Sequence, residues 1–378
     1  MNSERQAPIP SVRWLRPVLT ALIFVSSAAT AVACPLCYEA AKQMVTIGQQ
    51  LNTADRVVIA RPDGSTSHFR IASAIKGDDA DGATIVDPVQ GPDGTVPSGC
   101  DPCLLIHYAL NPHWTALGTM PPEYAAWLRQ LIATYRTSGE LRRASWPQRL
   151  QPSTVLNDAG SRQCISLVLP RLESPDALVA QIAWQELAHA PYQALETVRS
   201  RIDAGTVERW LNDPKLASRH ATYTLVLGFV GGSADAERLE QKMEAARTSH
   251  DATNLAAMIG ADLELRGPSR IGWVEATYFA DHTRTMPEIE AALLALNVHG
   301  EASGTISREQ VIEAYRVFIR ERPAMAGFVA LQLADWNYWD AATEYAALLK
   351  SDAVKDPASQ FAVVNYLQRA AAAKAALQ

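Results

Sequence analysis

Five cysteines carry the most evident chemistry of this chain. Four of them form two C-x-x-C pairs, Cys34 with Cys37 and Cys100 with Cys103, and Cys164 stands alone. Two such pairs separated by a long insert have the ligand spacing of a four-thiolate zinc site. In an oxidising compartment the same thiols pair as disulfides. A third alternative is a redox-active pair that exchanges electrons with other thiols.

The N-terminal segment indicates the compartment in which these thiols lie. Three arginines precede an apolar run at residues 17–32, and Ala31-Val32-Ala33 fits the small-residue rule for signal-peptidase cleavage before Cys34. We therefore predict that residues 1–33 are a signal peptide and that the protein is periplasmic or extracellular. A lipid-anchored envelope protein, acylated at Cys34, and a retained N-terminal anchor are the alternatives. We expect a membrane to be a partner only in these two cases.

Export favours disulfides over a zinc site, because thiols outside the cytosol are oxidised. We expect two bridges that join the Cys34 and Cys37 segment to the Cys100 and Cys103 segment. They would hold the start of the mature chain on the folded module. Cys164 is left over as a free buried thiol, with a nucleophile or an intermolecular bridge as alternatives.

Two aromatic clusters are candidates for binding. Asn111-Pro112 precedes His113 and Trp114 in a predicted turn after a strand, where both side chains could contact a ligand or pack structurally. The second cluster contains Trp336, Tyr338 and Trp339, in a predicted turn between paired helices. It forms either part of the core or part of a binding face.

Other residue patterns give little support for catalysis. Glu186 and His189 share a helix face, for which we predict a solvated surface, with a metal or an acid–base pair as the alternative. The sequence contains no H-E-x-x-H, G-x-S-x-G or Walker lysine motif. We therefore predict no catalytic residues, no cofactor and no enzymatic activity.

The charge pattern argues against nucleic acid as a partner. The chain has 34 Lys and Arg against 40 Asp and Glu, a net charge of −6. No block of basic residues interrupts it, whereas nucleic-acid binding depends on clustered cations. The expected partner is therefore a protein or a component of the cell envelope.

The first half of the chain has the pattern of a small β-barrel. Strands are predicted at residues 56–60, 68–75, 85–86 and 104–110, and Asp63-Gly64 is a hairpin signal. A loop is predicted at residues 87–102. One apolar helical stripe follows, formed by Tyr124, Trp127, Leu128, Leu131 and Ile132. Several short strands and a closing helix predict a curled barrel.

After Ser174 the pattern becomes helical. Ser174-Pro175, Asp213-Pro214 and Asp356-Pro357 each place a capping side chain before a proline, which is a preferred helix start. Ser307 and Gln310 form a capping box. We predict about ten to twelve helices in antiparallel pairs at a period of about 35–40 residues, which is typical of a helical solenoid. A compact helical domain is the alternative.

Two parts of the sequence resemble known families. Cys34-Pro35-Leu36-Cys37, followed by residues 54–60 and by the segment from Phe69 to Gly77, resembles the netrin-like module, the OB-type barrel of the tissue inhibitors of metalloproteinases. Residues 104–108, Trp114 and the helix from Pro122 continue that pattern. The helical part resembles HEAT-repeat proteins. The combination is similar to exported bacterial proteins with a C-P-x-C start and a HEAT-like tail.

The resemblance implies a multidomain α+β fold. A netrin-like, OB-type barrel with its closing helix would occupy residues 34–140, a linker residues 141–173, and an all-α HEAT-like solenoid residues 174–378. In the metalloproteinase inhibitors, the mature N-terminal cysteine chelates the protease metal through its amine and carbonyl groups. Only Cys34 matches that position. The family has C-x-C where this chain has C-x-x-C, so we carry over the fold and a bridged N-terminus, but not the inhibition.

These inferences predict an exported, non-enzymatic interaction or scaffold protein. A disulfide-held β-barrel would be joined to a helical-repeat surface that binds a partner. Two other functions are kept as alternatives. One is a thiol-redox or metal-binding protein that uses the C-x-x-C pairs, and the other is a metalloprotease-inhibitor-like module that acts through Cys34.

Overall fold

The computed structural model of the chain describes residues 45–64, 68–95, 99–142, 153–302 and 304–376. The predicted signal peptide, Cys34 and Cys37 lie outside these residues. The described chain has a two-part α+β architecture, in which a curled sheet is followed by a largely helical region.

The first part is a six-stranded mixed sheet that curls into a half-barrel. Its strands are β1 Arg56–Pro62, β2 Phe69–Lys76, β3 Thr84–Ile85, β4 Val89–Gln90, β5 Cys103–His107 and β6 Trp114–Thr119. They lie in the order β3-β2-β1-β5-β6-β4, and all neighbours are antiparallel except β4 and β6. The sheet is therefore curled as predicted, but it is open at β3 and β4 instead of closing as a barrel.

Strand β1 is buried on both faces, which explains its unbroken apolar sequence. Val57 and Ile59 pack toward the helices, and Val58 and Ala60 pack into the concave side of the curl. The predicted hairpin turn follows β1, where the Asp63 amide donates to the carbonyl of His68 at 3.0 Å.

Strand β6 corrects the prediction of a turn at His113 and Trp114. The turn ends at His113, and Trp114 begins the strand. Trp114 and Ala116 are buried and Thr115 is half-buried, which is the alternation of a strand. The preceding Asn-Pro turn signal concealed this start in the sequence. Strand β4 similarly lies in the predicted loop at residues 87–102, and a pair of residues is too short to give a periodic signal.

The helices extend from the start of the described chain to its end. The α-helices are α1 Ile47–Thr53, α2 Ala125–Ser138, α3 Asp158–Val168, α4 Ala177–Ala188, α5 Ala204–Leu211, α6 His220–Val230, α7 Ser233–Ser249, α8 Leu255–Arg266, α9 Ile271–Val274, α10 Met286–Ala302, α11 Arg308–Glu321, α12 Ala330–Asp335, α13 Ala342–Lys350 and α14 Pro357–Ala376. Short 3₁₀ helices connect many of them, at Pro122–Tyr124, Leu169–Arg171, Tyr192–Val198, Pro214–Arg219, Pro268–Arg270 and Pro323–Val329. A π-helix at Glu275–Ala280 follows α9.

The predicted linker at residues 141–173 is wrong, because ordered elements occupy much of it. Strands β7 Gly139–Arg142 and β8 Ser153–Leu156 pair with each other, and α3 follows. Asn157 caps α3 by accepting a hydrogen bond from the Gly160 amide at 2.9 Å. Cys164, Ile165 and Val168 form a buried face on the helix. This apolar stripe stabilises α3 by packing, and the helical region therefore begins before Ser174.

The predicted helix starts are confirmed where a side chain caps the helix. Ser307 and Gln310 form the expected capping box at α11. Asp356 accepts from the Ser359 amide at 2.8 Å and begins α14. Asp213 begins a 3₁₀ helix instead of an α-helix, and it accepts from the Lys215 amide at 2.9 Å.

One hydrophobic core runs through both parts of the molecule. It contains Val57 and Leu104 from the sheet, Trp127 from α2, and residues of the helical region as far as Tyr366. Helices two apart in the chain pack on one another, including α6 with α8, α8 with α10, and α12 with α14. The helical region is thereby confirmed, and its HEAT-type repeat remains a prediction. Among the described helices, none combines the length and the apolar character that a membrane span requires.

Candidate functional site

The second C-x-x-C pair forms a disulfide within itself. Cys100 and Cys103 are bonded to each other, with their Cα atoms 5.2 Å apart. Because the sulfurs of Cys100 and Cys103 are bonded to each other, the prediction that these two cysteines form bridges to the Cys34 and Cys37 segment is wrong. The physical reason is local, since the turn before β5 already brings the two Cα atoms within disulfide range. The zinc alternative also needs Cys34 and Cys37, which lie outside the described residues.

The two bonded cysteines differ in burial. Cys103 is the first residue of β5 and is fully buried between the neighbouring strands, whereas Cys100 lies in the preceding loop and is half-buried. A thiol that approaches from solvent would therefore reach Cys100 first. This asymmetry is a requirement of directed thiol–disulfide exchange, in which one of the two sulfurs is attacked.

An open cleft of about 520 Å³ lies beside Cys100. It is lined by Gly91, Pro92, Asp93, Thr95, Gly99, Cys100, Ala116, Leu117, Gly118 and Thr119. The loop that lines the cleft at residues 91–95 is held by Asp93, whose carboxylate accepts hydrogen bonds from the Thr95 amide at 3.1 Å and from the Thr95 hydroxyl at 2.7 Å. These hydrogen bonds lower the pKa of Asp93. The cleft therefore lies on the Cys100 side of the bonded pair.

A second cluster of reactive side-chain types lies at the junction of the sheet and the helical region. Glu186 on α4 is only 4 % exposed. Its Oε2 atom accepts a hydrogen bond of 2.5 Å from the Tyr135 hydroxyl on α2 and one of 3.6 Å from the Cys164 thiol on α3. We name these three residues the Glu186 clasp. The solvated surface predicted for Glu186 is wrong, because three helices converge on its carboxylate.

Helix α1 covers the other side of this carboxylate. Gly48 lies so close to Glu186 Oε1 that a methyl group at this position would overlap with it. The Ile47 amide donates to the side chain of Gln185 on α4 at 3.0 Å, which fixes α1 in place. Among the described residues, Glu186 Oε1 has no hydrogen-bond partner. The carboxylate is therefore enclosed by four helices.

The environment of the clasp keeps its thiol and phenol neutral. Burial raises the pKa of Cys164 well above its usual range, and the negative charge of Glu186 raises it further. The same two causes, in the same order, raise the pKa of Tyr135. Because the thiolate is the reactive form of cysteine, a neutral buried thiol is a poor nucleophile.

The space beside the clasp is small. A cavity of about 40 Å³ is lined by Cys164, Glu186 and His189 among others. This volume is enough for water molecules and too small for an organic substrate. His189 is half-buried, and its Nδ1 lies 2.8 Å from the Gln185 carbonyl. No group of three metal-ligating side chains converges in the part of the chain that the structure describes. The clasp is therefore suited to holding helices together.

The two residues of the first predicted aromatic cluster, His113 and Trp114, lie in different environments. Trp114 is fully buried, and its ring contacts His107 at 5.1 Å between centroids and the Arg56 guanidinium at 4.6 Å. These contacts correspond to the structural alternative for Trp114. His113 is half-buried at the end of the preceding turn. A ligand role for His113 remains a prediction.

The second aromatic cluster packs against the helical core at two separate points. Trp336 stacks on Tyr315 with 5.7 Å between ring centroids, and Trp339 contacts Tyr366 at 5.5 Å. Tyr338 lies between them and is half-buried, and its carbonyl accepts from the Tyr366 hydroxyl at 2.6 Å. The structure thus brings these residues together mainly by packing, and their binding role stays a prediction.

The clasp was only partly accessible to sequence reasoning. Tyr135 continues the apolar stripe of α2 and reads as an ordinary core residue. The available signal was Glu186 itself, because it lies on the same helix face as the buried Val179, Ile182 and Ala183. A carboxylate at such a position requires a buried partner.

Comparison with protein-family models, with curated proteins and with solved structures finds no match for this chain. The resemblances to the netrin-like module and to HEAT-repeat proteins therefore rest on the sequence patterns given above.

Proposed function

We propose that this protein is an exported, non-enzymatic interaction protein that presents the surface of its helical region to a protein or cell-envelope partner. The observation that best supports this function is the Glu186 clasp. Cys164 and Glu186 are the side chains of the helical region with the greatest chemical capability. Both are buried, and Glu186 accepts hydrogen bonds from Cys164 and from Tyr135. They join helices instead of facing a substrate-sized cavity.

The continuous core holds the sheet and the helical region of such a protein in a fixed arrangement. Because the sheet and the helices share one hydrophobic core, the surface groups of the two parts keep a fixed relative position. A preorganised surface loses less conformational entropy when a partner binds. A HEAT-like arrangement of the helices would extend this surface along the array.

Photo-crosslinking in the exporting cell tests this function. A photoreactive amino acid replaces Glu237, Glu290 or Glu313, which are exposed on α7, α10 and α11. The matched control carries it at Arg61, an exposed position of the sheet. We expect discrete light-dependent adducts from helical positions, which excess unlabelled protein competes away. The absence of a competed adduct at all three helical positions would overturn the proposal.

Thiol–disulfide exchange is a second candidate function, favoured by the unequal burial of Cys100 and Cys103 beside the open cleft. A substrate thiolate would attack Cys100 Sγ and break its bond to Cys103, whose sulfur leaves as a thiolate and takes up a proton. A second thiol of the substrate would then attack the substrate sulfur that is bound to Cys100, and Cys100 would leave as a thiolate and take up a proton. The substrate dithiol is oxidised to a disulfide, and the protein disulfide is reduced to two thiols.

Trapping of the mixed disulfide tests this second function. The Cys103→Ser variant lacks the resolving sulfur, so its Cys100 thiol should react with oxidised glutathione, accumulate as a mixed disulfide with one glutathionyl group and release one reduced glutathione. The Cys100→Ser variant is the matched control and should form no adduct at Cys103, which is buried. Peptide mass mapping locates the adduct. An unreactive Cys100 in the first variant would contradict an exchange function.

A further inference from the structure

His299 is the one fully buried histidine among the residues that the structure describes, and 1 % of it is exposed. It lies near the end of α10. Tyr192, the first residue of the 3₁₀ helix Tyr192–Val198, places its ring 5.0 Å from the imidazole between ring centroids. The same tyrosine ring contacts Phe229 of α6 at 5.1 Å. A side chain that can change its charge near neutral pH is therefore enclosed where several helices meet.

The two ring nitrogens of His299 face different partners. Nε2 lies 3.0 Å from the carbonyl oxygen of Gly260 on α8. Because a carbonyl only accepts hydrogen bonds, Nε2 carries the proton of the neutral ring and donates it. Nδ1 lies 3.8 Å from Oε2 of Glu264, also on α8. Nδ1 is therefore the atom that takes up a second proton in acid, and this proton points at the Glu264 carboxylate.

The Glu264 carboxylate already has other partners. Its side chain is buried, and Oε1 accepts from the Arg199 guanidinium at 2.5 Å and from the Thr305 hydroxyl at 2.8 Å. Oε2 accepts from the Tyr192 hydroxyl at 3.3 Å. The charge of Glu264 is thus paired with Arg199 before His299 is protonated. It can therefore compensate the charge of an imidazolium only in part.

Two further elements, α11 and the π-helix, also pack on α10. From α11, Arg308 donates at 3.0 Å to the carbonyl of the residue that follows His299, and a cation there gives no support to a second cation. The titratable groups of the π-helix, Glu275 and Tyr278, interact with other charged residues. In the described chain, Glu264 is the one charged side chain that acts on the imidazole.

We propose that His299 is an acid-sensitive latch for the 3₁₀ helix at residues 192–198. When Nδ1 takes up a proton, the ring becomes a buried cation and competes with the Tyr192 hydroxyl for Oε2 of Glu264. Movement of the 3₁₀ helix away from α8 and α10 then admits water to the charged ring, which removes the cost of its burial. The hydrogen bonds of a 3₁₀ helix have poorer geometry than those of an α-helix, so this element opens most easily.

The direction of the pH dependence follows from the burial of the ring. Burial lowers the pKa of His299 below its ordinary value of 6.5, and the Gly260 carbonyl and the Glu264 charge offset this only in part. The exposed ring of the opened state titrates near the ordinary value. The closed contact is therefore fully stable above about pH 6.5 and weakens as the pH falls below it, with up to about a tenfold rise in the opening equilibrium constant per pH unit. This inference goes beyond the proposed function and does not depend on it, since it needs no partner.

Hydrogen exchange of the whole chain from about pH 5 to about pH 7.5 tests the latch. After correction for the intrinsic exchange rate at each pH, the protection of peptides that cover residues 192–198 should fall by up to about tenfold per pH unit below about pH 6.5. In His299→Gln the amide can still donate to Gly260 but takes up no proton, so protection should not depend on pH. His282→Gln, at an exposed position, is the matched control and should keep the wild-type dependence.

A second measurement covers the case in which His299→Gln does not fold. NMR of the wild-type protein with ¹⁵N-labelled histidine follows the protonation of His299 directly, and Nδ1 should titrate with a pKa below the ordinary value of 6.5. A His299 ring that is protonated at neutral pH would overturn the proposal. So would wild-type protection that stays constant over the pH range, or a fall that persists in folded His299→Gln. An equal fall in peptides of strand β1 would also overturn it, because the opening would then be global.

Discussion

The Tyr135 hydroxyl donates a 2.5 Å hydrogen bond to Glu186 Oε2. This bond joins α2, which packs on the sheet, to α4 in the helical region. It lies within the continuous core, where a hydrogen bond to a charged group is stronger than at the surface. The junction of the two parts is therefore held by a polar contact as well as by apolar packing.

Removal of the Tyr135 hydroxyl should weaken this junction. The Tyr135→Phe variant leaves the buried Glu186 carboxylate without its shortest hydrogen bond, and we expect a loss of about 2 kcal/mol in the free energy of unfolding. Urea denaturation measures the loss. Tyr338→Phe is the control, because this half-buried tyrosine lies away from the clasp, and it should cost less than about 0.5 kcal/mol. Equal losses in the two variants would contradict a special role for the clasp.

Gly48 should resist substitution although it lies in a helix. Alanine normally stabilises a helix relative to glycine by up to about 1 kcal/mol. A methyl group at Gly48 would overlap with Glu186, so we expect Gly48→Ala to destabilise the protein by about 1–3 kcal/mol.

The matched control for Gly48 is Gly272→Ala in α9. A methyl group built there has no atom within 4 Å. This change should be neutral or stabilising by up to about 1 kcal/mol in thermal or urea unfolding. A stabilising Gly48→Ala would show that α1 does not lie against Glu186.

The raised pKa of Cys164 predicts a loss of stability at alkaline pH. The unfolded thiol ionises near its ordinary pKa of 9.0, whereas the folded thiol stays protonated. Its contribution is therefore present below about pH 9 and is lost as the pH rises above that value, by up to about 1.4 kcal/mol per pH unit. Cys164→Ala should flatten the slope of unfolding free energy between pH 9 and pH 10 by up to this amount. Identical slopes would mean that the thiol is not buried beside the carboxylate.

Peptide mapping without reduction should find the disulfide within one peptide. Trypsin cleavage after Lys76 and Arg129 places Cys100 and Cys103 in the fragment 77–129. We expect this fragment to be two hydrogen atoms lighter than its reduced form and unlinked to other peptides. A link to the fragment that contains Cys34 and Cys37 would restore the two bridges expected from the sequence.

The elements that sequence reasoning predicted are those with a strong local signal. Strand β1 has a β-branched run, α2 has a clear apolar stripe, and α11 has a capping box. The predicted linker failed where α3 depends on packing, since its apolar face is short and only the Asn157 cap marks its start. Strand β6 failed because a turn signal overlaps its first residue.

The candidate sites depend more strongly on tertiary structure. Sequence spacing alone was compatible with several cysteine pairings, and the turn before β5 selects the pairing of Cys100 with Cys103. The Glu186 clasp joins residues that are 51 and 22 positions apart. No local pattern encodes such a contact. The one available signal, the Glu186 carboxylate in an apolar helix face, was interpreted as a solvated surface.

The most direct measurement compares photo-crosslinking by the wild-type chain and by a Cys100→Ser, Cys103→Ser double variant, with the label at Glu290 in both. An interaction protein whose helical surface binds the partner should give the same competed adducts in both proteins. Adducts that disappear in the double variant, or that never form in the wild-type protein, would contradict this account. The first result would assign partner contact to the disulfide, and the second would remove the basis for a binding surface on the helices.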